Sequence, residues 1–387
     1  MTARDAERRP ILERLWRTPL PPLLIPLWGA CAAAAVAYAA AWAARSRYWK
    51  TRSLRAPVPI ISVGNLTVGG NGKTPFTLYL ANLLRSRGWR IAILSRGFGG
   101  RLSRRGRAAM VADGGKIFAS TADVGDEPVM MAHRFAGPIA IARRRIDGAR
   151  LLAANDGLDA IILDDGFQHL GIGRDLDLVL IDDARGFGNG WVLPAGPMRE
   201  PVGALVRADA IVYVQRPGEA PARPSSVPKP HGTPSFRARL RPRAMIQSDR
   251  GAWSDAPLEL AGRRVVAVSG LADPDGFRRT LEAEGAVVAA NLAFPDHHEY
   301  SPADLSGIAA VAQNARVDMV IVTTKDLVKI DRFAGAPAPL YALDLEVALE
   351  PGDEARLLAL AESRMRGKGA PRENSSGKGD GGSLDGD

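Results

Sequence analysis

Between Pro59 and Leu80 the chain reads PIISVGNLTVGGNGKTPFTLYL: an apolar β-like run, a loop holding Gly69, Gly70 and Gly72, and then a helix-like stretch. That succession leaves the backbone little choice. Glycine tolerates angles that side chains forbid, so the N–H groups of Gly69, Gly70, Asn71 and Gly72 can turn inward, and the following helix aims its positive end at the same point. The result is a cradle for phosphate. Lys73 suits the β and γ phosphates of a nucleotide, and the Thr74 hydroxyl suits a Mg²⁺ ion. The general pattern places a glycine five residues before Gly72, where this chain has Thr67. A glycine-rich loop without a nucleotide is the competing reading, and GKT directly after a β-like run argues against it.

A length of 387 residues exceeds one ordinary core, so two domains with appendages are expected. The net charge of +9 points to an anionic partner, whether nucleic acid, an anionic lipid surface or a phosphorylated substrate. Cys31 is the single cysteine, which excludes an intramolecular disulfide and any multi-cysteine metal site and favours a reducing compartment.

Residues 1 to 18 are arginine-rich, and no charged residue then occurs from Leu20 to Ala44. Pro21, Pro22 and Pro26 break the start of this stretch. Leu27 to Ala44 remains, mostly alanine, with Trp28, Tyr38 and Trp42 towards its ends. At about 1.5 Å per residue such a helix spans roughly 27 Å, close to the apolar thickness of a bilayer. Edge aromatics and the following Arg45, Arg47, Lys50, Arg52 and Arg55 suit a membrane with anionic headgroups. An alanine-rich helix buried in its own protein is the alternative.

Apolar runs at 59–63, 91–95, 138–142, 160–163, 178–182 and 210–214 alternate with helix-like segments, the pattern of a mostly parallel sheet with helices on both faces. Ligands of such sheets lie at the carboxyl ends of the strands. Pro217 to Pro242, rich in proline and arginine, reads as a linker or surface excursion. A smaller α/β unit follows, with strands near 264–269, 287–291, 319–324 and 340–346, and the tail 366–387 lacks apolar periodicity and reads as disordered. The expected division is 1–50, 51–235, 236–365 and 366–387.

Asp164 and Asp165 follow the run AIIL, where a strand-end carboxylate commonly anchors Mg²⁺. On a strand, adjacent side chains alternate, so one can face the metal while the other orients a neighbour; capping the next segment is the other option. Gly125-Asp126-Glu127-Pro128 reads as a helix start. FPDHHEY (294–300) carries His297 and His298, which could cap, bind a metal or act as bases. Arg96, in the SRGFGG loop, can meet phosphate or simply be solvated. Gln168 and His169 close the DDGFQH segment.

Seven segments in order, GNLTVGGNGKTP (64–75), LSRGFGG (94–100), GDEP (125–128), LDDGFQH (163–169), GNGWVLPAGPMREP (188–201), FPDHHEY (294–300) and TTKDLVK (323–329), resemble the tetraacyldisaccharide 4′-kinase family across most of residues 20 to 350. Thr67 belongs to that family's form of the loop. The resemblance implies transfer of the γ-phosphoryl group of ATP, with Mg²⁺, to the 4′-hydroxyl of a tetraacylated glucosamine disaccharide 1-phosphate at the cytoplasmic face of the inner membrane. It implies that Asp126 and His297 form the dyad that deprotonates the acceptor, with His298 the rival for the second place. By the same likeness Thr74, Glu127, Asp164 and Asp165 surround Mg²⁺. Thr67, Gly69, Gly70, Asn71, Gly72 and Lys73 hold the nucleotide; Arg199 is matched to the substrate's phosphate, with Arg96, Gln168 and His169 nearby. Neither nucleic acid nor an obligate protein partner is expected. Two other classes compete. A soluble GTPase or metallochaperone would normally carry an N-K-x-D-like guanine reader, which is not found, and a non-catalytic membrane-binding module leaves the acidic motifs unexplained.

Overall fold

The computed structural model describes residue 16 and residues 24–154, 157–218, 230–249, 251–330 and 338–366. The basic segment before residue 24, Trp16 apart, residues 219–229 of the proline-rich stretch and the tail from 367 lie outside the described residues.

Strand β1 (Ile60–Asn65) is buried along its whole length, because parallel strands flank it on both sides. Its neighbours are β6 (Ala160–Asp164) and β7 (Leu176–Asp182). Beyond β6 lie β2 (Ile91–Ser95) and β5 (Ile139–Ile141), and beyond β7 lies β8 (Ala210–Gln215), all parallel. Antiparallel β3 (Ala109–Asp113) and β4 (Lys116–Ile117) finish that edge. Continuous apolar runs are what a sheet covered on both faces requires. On one face, helix α2 (Lys73–Ser86) sets Phe76, Leu80 and Leu84, four residues apart, against Ile61, Val63 and Ile91. Each such side chain contributes about 1.5–3 kcal/mol by leaving water. On the other, α4 (Arg145–Ala153) sets Ile146, Ala149 and Leu152 against Ile60, Leu94 and Ile161. Between them in sequence, the short α3 (Asp126–Ala132) begins directly after Gly125.

The sheet does not stop at residue 217. Residues 235–242, expected in a linker, open the long strand β9 (Ser235–Asp249), which pairs parallel with β8 and antiparallel with β14 (Leu340–Leu349). The physical reason is alternation: Phe236, Ala238 and Leu240 turn inward while Arg237, Arg239 and Arg241 point away, a period of two that the high arginine content obscures. Pro242 is accommodated because the pairing slips beside it, with Leu345 opposite Pro242 and Asp344 opposite Ala244. β10 (Ala252–Ala256) folds back on β9. Beyond β14 run β13 (Met319–Thr323), β11 (Arg264–Ser269) and β12 (Val287–Ala293), all parallel. Val265 and Ala267 face α5 (Pro274–Ala283), whereas Val266 and Val268 face α6 (Pro302–Ala315). The helix α7 (Asp353–Arg366) returns to the first half and buries Leu357, Ala361 and Met365 there; its last residue, Arg366, is where the disordered tail was expected to begin.

Helix α1 (Ile25–Lys50) is longer than the expected 27–44 and is the one helix among the described residues long and apolar enough to cross a membrane. Only Ala35 is fully buried, and it packs with Trp28 and Trp42 against Phe167, Val179 and Ile211.

Candidate active site

The carboxyl ends of β1, β2, β6 and β7 lie along one edge, and the glycine loop leaves β1 there. Its conformation accounts for Thr67. The Thr67 hydroxyl accepts a 2.7 Å hydrogen bond from the Asn71 side-chain amide, and its carbonyl accepts another, also 2.7 Å, from the Asn65 amide. A glycine at 67 would remove the oxygen that ties Asn71 into the loop. Gly72 closes the loop at φ 72°, and a β-carbon there would press on Leu240 at 3.0 Å, so glycine is required twice over. No side chain caps the start of α2 and no acidic residue lies in its first turn, so its N–H groups face the cradle unopposed. Segment 197–199 clamps the loop from outside: Val68 N–H donates to the Pro197 carbonyl at 2.8 Å and Arg199 N–H to that of Leu66 at 2.7 Å.

Beside Lys73 stand the two adjacent aspartates. They do not alternate as on a strand, because β6 ends at Asp164 and Asp165 is left-handed at φ 52°. Asp164 is buried and accepts from the Thr77 hydroxyl at 3.1 Å. Burial, aided by the charges of Glu127 and Asp165, pushes its pKa up to about 7. Asp165 experiences the opposite balance: burial raises it, but Lys73 at 3.7 Å and Arg199 at 2.7 Å overcome that and hold it at about 2. Arg199 turns Nη1 to both Asp165 oxygens and to Gln168 at 3.4 Å, while Gln168 donates to the Asn65 carbonyl at 2.8 Å. His169 is held neutral, with burial and Arg145 lowering its pKa to about 3. Arg96 is exposed at the end of β2.

Across the cleft, the structure joins the two halves of the chain. His297 Nδ1 lies 3.1 Å from both carboxylate oxygens of Asp126, and His297 adopts a left-handed φ of 62°. Gly125, the residue before Asp126, lets the Phe98 loop close in, since a β-carbon there would collide with the Phe98 carbonyl. The Phe98 ring in turn lies 5.2 Å from the imidazole. Burial works against the Asp126 carboxylate, but the hydrogen bond to His297 and the nearby lysines keep its pKa lowered; that of His297 is raised, chiefly by the same hydrogen bond. His298 faces elsewhere, with Nε2 3.1 Å from Asp304 at the start of α6. The two histidines therefore do not share a metal.

Glu127 stands in the cleft 3.9 Å from Lys325 Nζ, and its pKa is raised by the desolvation of its carboxyl and by Asp126 against the pull of Lys325. Among the described residues no three His, Cys, Asp or Glu side chains converge to hold a metal. That fits a hard ion such as Mg²⁺, which takes one or two carboxylates and draws its remaining oxygens from water and phosphate. Asp164 is buried against Thr77, one turn beyond Thr74 on α2, with few charges to offset its desolvation, and its chemistry fits such an ion.

The family model described as tetraacyldisaccharide-1-P 4′-kinase matches residues 24–363. The chain belongs to this family. It is an enzyme of the kinase class, and membership in that family sets aside the GTPase, metallochaperone and non-catalytic readings. The tetraacyldisaccharide 4′-kinase of Syntrophus aciditrophicus is 40% identical over 314 residues, covering 78% of this chain and 83% of that relative. That of Geobacter metallireducens is 43% identical over 293 residues, covering 75% and 84%. The crystal structure of LpxK from Aquifex aeolicus, described as an "apo" form in complex with ATP, is 30% identical and superposes with a TM-score of 0.68 over 88% of this chain and 98% of that one.

Several groups at this kinase's site had no assigned part in the sequence reading. Arg145, 3% exposed, donates to the Ala142 and Asp164 carbonyls at 2.6 and 3.3 Å. Arg216 ties the Gly70 carbonyl to Asp182 and approaches Asp273, the N-cap of α5. Lys325 Nζ lies 2.7 Å from Asp296, 3.4 Å from His297 Nε2 and 4.0 Å from Asp126. Lys329 approaches Asp126 from behind, at 3.5 Å. TTKDLVK carried these two lysines in plain view, but the spacing of lysines says nothing of what stands opposite them.

Proposed function

We propose that this kinase transfers the γ-phosphoryl group of ATP to the 4′-hydroxyl of a tetraacylated glucosamine disaccharide 1-phosphate, with Asp126 and His297 as the acceptor-activating dyad. The observation that carries the assignment of the dyad is the 3.1 Å contact between His297 and Asp126, side chains 171 residues apart. Asp126 fixes the imidazole tautomer and orientation through Nδ1, which leaves Nε2 turned towards the cleft and Lys325 to receive the acceptor proton. Because phosphoryl transfer has a loose transition state, placing the hydroxyl in line matters more than base strength.

The loop 67–72 and Lys73 cradle the triphosphate, while Thr74, Glu127 and Asp164, with Asp165 close by, would hold Mg²⁺. When bound, that ion neutralises charge developing between the β and γ phosphates. Arg199, steered by Asp165, stands where a second anionic group of the acceptor would be met; Arg96, Gln168 and His169 line the same edge.

The active site faces the cytoplasm from the inner membrane, and α1 lies in the bilayer surface rather than across it. Along its length one face stays bound to the protein: Trp28 Nε1 donates to the Ala195 carbonyl at 3.2 Å, the Tyr38 hydroxyl donates to that of Arg199 at 2.7 Å, and Trp42 stacks on Arg207 at 4.9 Å. The remaining faces are open and uncharged from Ile25 to Ala44, so the side turned away from the protein offers lipid an apolar surface along the helix. The chain divides at 50, 235 and 365, with the second unit carrying His297 to the first.

Incubation with γ-labelled ATP and a tetraacyl disaccharide 1-phosphate in detergent micelles tests the reading. Labelled lipid is expected, dependent on Mg²⁺ and abolished by Lys73→Ala. Nucleotide binding by the intact protein without labelled lipid would overturn it.

A further inference from the structure

Lys329 is a lysine with its side chain 1% exposed, a costly place for an ammonium group. Its Nζ lies 3.5 Å from Asp126 Oδ2 and 3.5 Å from Asp326 Oδ1, makes no hydrogen bond among the described residues, and has the Tyr300 ring 5.7 Å away. Asp326 is itself fully buried and immobilised: Oδ2 accepts from the Thr323 hydroxyl at 2.6 Å and from the Gly270 N–H at 3.0 Å. Its Oδ1 has no hydrogen-bond donor in place among the described residues; the Lys329 charge stands 3.5 Å from it, with the Tyr300 hydroxyl close by. Lys325 differs in kind. Its side chain is 12% exposed and shared among Asp296, His297, Glu127 and Asp126, so an incoming phosphate can draw it away. Lys329 has no such freedom.

We infer that Lys329 is a positioning residue for phosphoryl transfer, a fixed cation that holds the Asp126 carboxylate against His297 and is itself held by the Asp326–Thr323–Gly270 anchor. Asp126 comes from the first half of the chain, whereas His297, Lys329 and the anchor come from the second. The carboxylate is thus gripped from two sides by residues of the second half, and the Lys329 ion pair lies across the same contact as the dyad. An ion pair this deep contributes little net stability, because desolvation offsets attraction. Its return is geometric: with Lys329 gone, Asp126 Oδ1 keeps the Glu127 N–H at 3.0 Å, but Oδ2 loses its buried cation and is left with partners on the cleft side alone, so the carboxylate can turn about that one tether away from Nδ1.

The inference rests on the dyad reading above, and a double-mutant cycle in detergent micelles separates the two. Lys329→Met is expected to lower kcat by at least about tenfold with the KM for ATP within about twofold of the parent. In the Asp126→Asn background the same change is expected to cost less than about threefold, because the lysine acts through the carboxylate. Equal losses in both backgrounds, or an unchanged kcat in Lys329→Met, would overturn the inference. An Asp126→Asn protein with near-parental turnover would instead remove the dyad. Should Lys329→Met fail to fold, Asp326→Asn/Lys329→Met deletes the cation together with one of its two carboxylates and reads the same loss with Asp126 intact.

Discussion

His297 sits at a backbone angle that costs a non-glycine residue about 1–3 kcal/mol, and its imidazole meets both oxygens of Asp126. In the proposed dyad a neutral imidazole takes the acceptor proton, and the Asp126 hydrogen bond raises the pH at which His297 loses its own. The acid limb of kcat/KM is therefore expected above the ordinary histidine value of about 6.5, and Asp126→Asn should move the limb of the residual activity downward. A pH–rate profile of both proteins checks this. The same shift bears on folding: the His297 contribution is fully present just below its unfolded pKa of about 6.5 and fades as pH rises through the higher folded value, while at the acid end the pair is lost once Asp126 is protonated. At the loop, Gly72→Ala combines a φ of 72° with pressure on Leu240, so ATP affinity should fall by at least about tenfold while the melting temperature changes little. Calorimetric titration with ATP would show it. Much of this was legible in residue types: GKT, DD and GDEP name their chemistry. What a residue list cannot carry is direction. Asp165 turns left-handed past the strand and takes Arg199, and Lys329 reaches Asp126 across 203 positions of chain, as the numbering of the pair shows.

Among the elements, α1 is built into the body of the enzyme. Tyr38 holds the backbone of Arg199, and Arg207 is sandwiched between Trp42 at 4.9 Å and Phe167 at 4.4 Å, two residues beyond Asp165. Removing residues 1–44 should move the protein from the membrane to the soluble fraction and should also lower its stability, since Phe167, Val179 and Ile211 lose their cover. Fractionation and thermal melting of the truncated chain test both, and an unchanged membrane fraction would place the anchor elsewhere. The helix was readable because an uncharged run of that length has few other uses. Ten strands were readable because each is apolar and bounded by turns. β9 was not, because its alternation lies among arginines and ends at a proline that only the bulge beside it makes acceptable.

At the scale of the whole molecule, one hydrogen-bonded sheet runs from β12 to β4, and β9 and β14 carry it across the join between the two halves. The triphosphate cradle and the paired aspartates belong to one half and His297 with both lysines to the other, so neither half contains the site. Single-turnover transfer by Asp126→Ala, measured beside its ATP affinity, tests that division of labour. A loss of about 10²–10⁴-fold in the transfer step with ATP binding within about twofold of the parent is the predicted result. Turnover near that of the parent would show that the contact spanning the two halves is not where the acceptor hydroxyl is activated.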